Sequence, residues 1–426
     1  MHNQHARIHD LYTQVSHVLE GSIIPFWLER CKDKGYGGYL TNFDEKGIDA
    51  GTAEKYLNTQ SRLVWWFSIL SRSFPHKPEY RQMADWGMDF LIRNYWDSRY
   101  GGWFWKTKRD GGKLDDGKSV YGQSFALYAI AEYYLATHDN LALDYAVRTF
   151  DLLQIYCTDT LRGGYYENLE RDWQVAGPGF FGGDRKGLDT HMHLMESFTT
   201  LYAATGQEIH RRKLESQIQL IVRHLINPVT GCGRNQVDLE FQPIPAIALN
   251  RTWNAERAGD APAVPTDTTS YGHNVELSWL INLALQIGKI DPEPYKPVMK
   301  RLLDHALAHG IDWELGGVYR DGIADGEALI LEKEFWQNAE VLVGFLDGFQ
   351  TFGDQRYMDA FENVWNFVNA KMINHQVGEF RTLLTRDGQP IDENIGNPWK
   401  VAYHSGRSML ECTQRLKILS NGRGED

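Results

Sequence analysis

The chain has 426 residues, 42% hydrophobic and 23% charged, the composition of an ordinary globular protein with enough apolar residues for a large core. Lys and Arg number 44 against 56 Asp and Glu, a net charge of −12, which argues against nucleic acid or anionic membrane as a partner because both reward a basic face. No run of about 18 apolar residues is available for a membrane span, and Met1 to Asp10 lacks a signal-peptide core, so a cytoplasmic protein is expected.

Cys31, Cys157, Cys232 and Cys412 are widely spaced, which suggests neither a disulfide framework nor a zinc site. Aromatic residues are dense, with 14 Trp, 21 Tyr and 19 Phe. Such residues either fill a core or line a pocket whose flat faces suit the C–H faces of sugars, and composition does not choose between the two.

Along the chain, a Gly-Gly-aromatic turn or a relative of it recurs. It stands at Gly37-Gly38-Tyr39, Gly101-Gly102-Trp103, Gly163-Gly164-Tyr165, Gly231-Cys232-Gly233, Gly316-Gly317-Val318 and Gly378-Glu379-Phe380. Asp33, Asp97, Asp159 and Asp312 each precede the first glycine of a turn by four residues. The spacing marks one unit used six times, with an insertion between the fourth and fifth turns. Between turns the periodicity is helical. Residues 77–96, 139–157, 208–226 and 292–309 read as amphipathic helices with one wet face, whereas 121–137, 190–204, 275–288 and 340–352 read as buried helices. One exposed and one buried helix per unit predicts an all-α fold, an (α/α)6 barrel of twelve helices with short β-hairpins in the loops, such as 39–43 and 103–108. No linker divides it, so one catalytic domain spanning 1–426 is expected, with its last residues frayed.

In such a ring the inner helices all start at one end, and their first turns converge on a central pocket. The residues placed there are Gln60 and Arg62, Tyr121 and Gln123, Asp189, His191, His193 and Glu196, His273 and Glu276, Trp336, Asn338 and Glu340, then Trp399, Lys400, His404 and Arg407. His191 and His193 lie about 200° apart around a helix and cannot share one pocket or one metal, so His193, a turn before Glu196, is the pocket candidate. No HExxH motif or carboxylate-rich cluster is present, and no metal is expected. Glu196, Glu276, Glu340 and Glu411 lie deep in their helices, better placed to orient a His or Arg than to cleave a glycosidic bond.

The segments YGQSFALY (Tyr121 to Tyr128), THMHLME (Thr190 to Glu196), YGHNVELSW (Tyr271 to Trp279), AEVLVGF (Ala339 to Phe345) and WKVAYHSGR (Trp399 to Arg407) resemble the N-acylglucosamine 2-epimerase superfamily, and within it the cellobiose and mannose 2-epimerases. The resemblance spans all six units. It implies that His273 and His404 are the two acid–base catalysts, that Arg62 and His193 bind the aldehyde end and the enediolate, and that Tyr121, Glu276, Trp336 and Trp399 shape the pocket. Asp189 stands where these epimerases usually have Asn, and Phe335 where cellobiose 2-epimerases often have a second Trp. The implied reaction is cofactor-independent. Two histidines remove and return the C2 proton of an open-chain aldose on opposite faces, one neutral and one protonated, while a guanidinium stabilises the cis-enediolate.

The insertion, about 242–272, contains Pro243, Pro245, Pro262 and Pro265 and reads as a lid over the pocket. Mannose 2-epimerases are similar in having a long pocket-covering loop with a Trp and a nearby acid, which makes Trp253 and Glu256 candidate substrate contacts. The expected function is a 2-epimerase of free D-glucose and D-mannose, with a small-molecule sugar as its partner. A cellobiose or mannobiose 2-epimerase and a mannose isomerase are alternatives, and a glycoside hydrolase or a sugar-binding protein is more distant. The oligomeric state is not legible.

Overall fold

Six helices, buried through most of their length or, in the sixth, through its N-terminal half, form the inner layer: Leu57–Ser73, Val120–Thr137, Leu188–Thr205, Tyr271–Gly288, Phe335–Phe352 and Ala402–Ser420. They are numbered here as the first to sixth inner helices. The protein is seen in a computed structural model that describes residues 2–251 and 267–421. Each inner helix packs against the next, and the sixth packs against the first, so the ring closes.

The outer layer consists of residues 2–30, Pro78–Tyr95, Asn140–Leu152, Glu208–Leu220, Lys296–His309 and Gln355–Phe367. Each of the last five packs on the inner helix that precedes it, while the helix at 2–30 packs on the sixth inner helix and joins the two chain ends. The architecture is the (α/α)6 barrel the repeats predict. The inner helices begin several residues before the apolar runs do, at 271 rather than 275 and at 335 rather than 340. Their first turns carry polar side chains, and these mask the helical start from a hydrophobicity reading.

Hairpin strands lie at the N-terminal ends of the inner helices. The strand entering one inner helix pairs antiparallel with the hairpin of the next unit, as Glu54–Tyr56 does with Lys106–Lys108 and Arg185–Gly187 with Gln236–Asp238. The expected strand at 39–43 is reduced to isolated bridges, one of which, Phe43 to Gly396, joins the first unit to the segment before the sixth inner helix.

The recurring aspartates now have a physical role. Asp33, Asp97, Asp159 and Asp312 each accept hydrogen bonds from the backbone of their own turn and pair with a fully buried lysine that precedes an inner helix: Lys55, Lys118, Lys186 or Lys333. The glycines at these turns have positive φ, for example +84° at Gly37 and +86° at Gly316, a region that L side chains rarely enter. In the fourth unit Asn227 replaces the Asp, keeps the turn contacts, and donates to Asp267 instead of pairing with a lysine.

Candidate active site

The first turns of the inner helices carry two kinds of polar residue, and the structure separates them. Gln60, Gln123, His191 and Asn338 point outward and accept the backbone N–H of Tyr39, Trp103, Tyr165 and Val318, the residue that follows each glycine pair. They lock the turns to the helices. Lys400 is likewise buried, against Glu379 and the Ile395 carbonyl. These members of the geometric shortlist do not reach the pocket. His191 and His193 face opposite ways, as their spacing demands.

The pocket at the ring's centre is lined by Arg62, Tyr121, His193, His273, Glu334, Phe335, Trp336, Trp399 and His404. Trp336 lies between the two candidate bases, with its ring centroid 4.5 Å from that of His273 and 5.7 Å from that of His404. Trp399 is braced by Trp105 and Tyr56.

Arg62 is 3% exposed and has no carboxylate in ion-pair distance among the described residues. Its Nη1 donates to the Trp399 carbonyl at 3.1 Å and its Nη2 to the Tyr121 hydroxyl at 2.8 Å, and its guanidinium lies over the rings of Phe125 and Tyr403. Burying a guanidinium without an anion is expensive. Among the described residues Nε of Arg62 and Nε1 of Trp399 also lack an acceptor, so the wall offers donors for an oxygen-rich, anionic guest.

Beneath this floor lies a charge cluster. Arg407 donates to Glu196 and to Glu276, and its Nη2 is 2.7 Å from Oε1 of Glu340. Glu196 also takes Nδ1 of His193 at 3.0 Å and the Tyr403 hydroxyl at 2.8 Å, while Glu340 takes Nδ1 of His404 at 2.7 Å and the Trp279 indole at 3.2 Å. Each carboxylate thus makes its imidazole an Nδ1–H tautomer, with Nε2 left as acceptor. Glu276, Glu340 and His404 are close enough together to resemble metal ligands. The Arg407 guanidinium already binds both of these carboxylates and supplies the balancing charge.

Glu276, expected on substrate or on His273, is fully buried on Arg407 and does not line the pocket. Asp189 does not line it either. Its carboxyl lies beside that of Glu167 at the start of the third inner helix, where both approach Gly187. Glu411 faces outward to Arg415. Trp253 and Glu256 lie outside the described residues. Of the insertion, the described part crosses back at the pocket end: the Arg251 guanidinium binds Asp115 and the Arg251 carbonyl accepts from Ser119. Glu334 and Phe335 are lining residues that a count from the helix interior passes over, since they stand at the junction of strand and helix.

Burial governs the protonation states. Desolvation pushes His273 down to about 3 and His404 well below the ordinary histidine value, the latter helped by the charges of Arg62 and Arg407. His193 is lowered by burial too, against the pull of Glu196. The pocket imidazoles are therefore neutral at neutral pH. Burial raises Glu276 strongly and Glu340 to about 7, whereas Arg407 and His193 overcome burial at Glu196 and hold it low. At the rim, burial raises Asp189 to about 6, and burial plus the charge of Asp189 raises Glu167 to about 8.

The model of the N-acylglucosamine 2-epimerase (GlcNAc 2-epimerase) family matches residues 38–407. A cellobiose 2-epimerase of Bacteroides fragilis is 29% identical over 410 residues, covering 94% of this chain and 98% of that protein. A D-mannose isomerase of Marinomonas mediterranea is 24% identical over 410 residues, 93% of this chain and 94% of that protein. The structure of a cellobiose 2-epimerase from Bacillus thermoamylovorans superposes with a TM-score of 0.85 at 26% identity, covering 96% of this chain and all of that one.

Proposed function

The chain belongs to the N-acylglucosamine 2-epimerase family and is a carbohydrate epimerase, and from that premise we propose that it interconverts D-glucose and D-mannose without a cofactor. The carrying observation is Arg62: a buried cation with no carboxylate partner among the described residues, on the wall that also holds His193, His273 and His404.

The open-chain aldehyde lies against Arg62 and Tyr121. Neutral His404, its Nδ1–H held by Glu340, takes the C2 proton of the glucose-configured sugar on Nε2. The C–H electron pair moves into the C1–C2 bond, and the charge gathers on O1 and O2 beside Arg62. That charge favours transfer of a proton from solvent water to the opposing imidazole, His273, which delivers it to C2 on the other face, while the proton held by His404 passes to the hydroxide left behind and both imidazoles are neutral again. The pair of one neutral and one charged imidazole is on this reading a property of the sugar-bound pocket, because burial keeps both neutral beforehand.

A hydrolase reading is disfavoured. It needs two carboxyl groups flanking a bond, and Glu196, Glu276 and Glu340 are all engaged by Arg407. The kinship with cellobiose 2-epimerases makes a disaccharide the second reading, whereas the long insertion at the pocket end favours the shorter sugar, with Trp253 and Glu256 as its candidate contacts.

Proton NMR of the protein with glucose, mannose, fructose and cellobiose in heavy water tests all of these. Mannose formed from glucose, carrying deuterium at C2, is expected. Fructose as the product identifies an isomerase, efficient turnover of cellobiose a disaccharide epimerase, and no change in any of the four sugars overturns the proposal.

A further inference from the structure

Asn58 lies in the first turn of the first inner helix and is fully buried. Neither its Oδ1 nor its Nδ2 has a hydrogen-bond partner among the described residues. It stands four residues before Arg62, which puts the two on one face of the helix. Ser61, three residues after Asn58 and therefore its neighbour in the next turn, also leaves its Oγ unbonded. Gln60 shows the contrast, since both ends of its amide bond the backbone of Tyr39. A buried amide left wholly unsatisfied is costly, so a pair of such residues beside the orphaned Nε of Arg62 calls for a ligand.

The orphan atoms form a matched set. Oδ1 of Asn58 and Oγ of Ser61 accept, while Nδ2 of Asn58 and Nε of Arg62 donate. A water molecule brings two protons and two lone pairs, and buried water typically makes about three hydrogen bonds to groups of this kind. The amide also has an electrostatic consequence. Nη1 and Nη2 of Arg62 are held by a carbonyl and a hydroxyl, both neutral. A carboxylate at position 58 would hold Nε as well, but in a low-dielectric site it would cancel the guanidinium's field.

We propose that Asn58 and Ser61 form a buried water site beside Arg62, and that Asn58 acts through this water as a positioning residue. It fixes Nε of Arg62 with neutral partners and leaves the positive charge whole for the enediolate. The positioning role rests on the reading that Arg62 stabilises the enediolate, whereas the water site does not.

Crystal structures of the full chain, free and with glucitol, test the site directly. Water within hydrogen-bond distance of Oδ1 of Asn58 and Nε of Arg62 is expected in both. No density there overturns the site, and a glucitol oxygen in that place makes Asn58 a substrate contact instead. Two variants then separate its roles. Asn58→Asp, nearly isosteric, should lower kcat about tenfold or more with KM changed far less, while Tm holds or rises through the new ion pair. Asn58→Leu should lower both kcat and Tm, because the water loses its partners. An amide that was merely unsatisfied would instead be replaced by an apolar group of its shape at no loss of stability. Wild-type kcat in Asn58→Asp overturns the positioning role, and an unchanged or raised Tm in Asn58→Leu overturns the water site. If no free sugar is epimerised, the density and the Tm of Asn58→Leu still decide the site, and the reaction reading falls alone.

Discussion

Oε1 of Glu340 lies 2.7 Å from Nδ1 of His404 and 2.7 Å from Nη2 of Arg407. One carboxylate oxygen thus orients the candidate base and shares a buried cation, and the ionised form of Glu340, which grows as pH rises through about 7, is the counter-ion for a proton accepted by His404. Glu340→Gln should lower kcat by about 10- to 100-fold with KM and Tm little changed. Stability is spared because Arg407 keeps Glu196 and Glu276. A variant with wild-type kcat would remove Glu340 from the mechanism.

The two histidines should be separable by isotope. His273→Asn and His404→Asn should each abolish net epimerisation, since every turnover needs an acid on the opposite face. His273→Asn retains the base for the glucose-configured sugar and should wash deuterium into glucose, and His404→Asn into mannose. Near-normal epimerisation by either variant would break the two-base scheme.

Arg62→Lys should lose about 100-fold or more in kcat although the charge is kept, because a planar fork reaches two oxygens and an ammonium offers one point. Paired melting curves should show little loss, as no carboxylate partner among the described residues is left behind. Retained activity with a large drop in Tm would make Arg62 a structural residue.

Trp253→Ala tests the insertion as a cover. Loss of a closing lid should raise KM for the monosaccharides or lower kcat, with Tm nearly unchanged. Kinetics equal to wild type on glucose and mannose would discard the lid.

Stability should be greatest in mildly acid solution. His191 and His305, at about 4, and His273, at about 3, stay neutral in the fold while the unfolded chain protonates them below about 6.5, so their contribution is lost as pH falls. Glu340 at about 7 and Glu167 at about 8 hold protons in the fold that the unfolded chain has released above about 4.5. Their contribution is lost as pH rises towards 8. Between these limits the slopes oppose, and Tm should fall on both sides. Glu167→Gln should flatten the alkaline fall, and an unaltered profile would show that Glu167 is ionised in the fold. The acid limb of kcat/KM, which reports the free enzyme, should be displaced below 6.5 by the burial of His273 and His404.

Much of this was legible in one dimension because it repeats. The six glycine turns need a left-handed backbone, the aspartates four residues before them cap those turns, and alternating wet and buried helices announce a double-layered ring. From that ring follows the convergence of Arg62, Tyr121, His193, His273, Trp336, Trp399 and His404, since every inner helix begins at the same end.

What periodicity does not encode is the direction in which each polar residue of a first turn points, or what it meets. Gln60, Gln123 and Asn338 looked like pocket residues and instead lock the glycine turns, and Glu276 serves Arg407 rather than substrate. Local sequence determined the helices, the turns and the end of the barrel where chemistry gathers. The pairing of Glu340 with His404, of Glu196 with His193, and of three carboxylates around one guanidinium joins residues 3 to 211 positions apart. Only closure of the ring brings those charges into a common low-dielectric floor, where each partner's protonation depends on all the others.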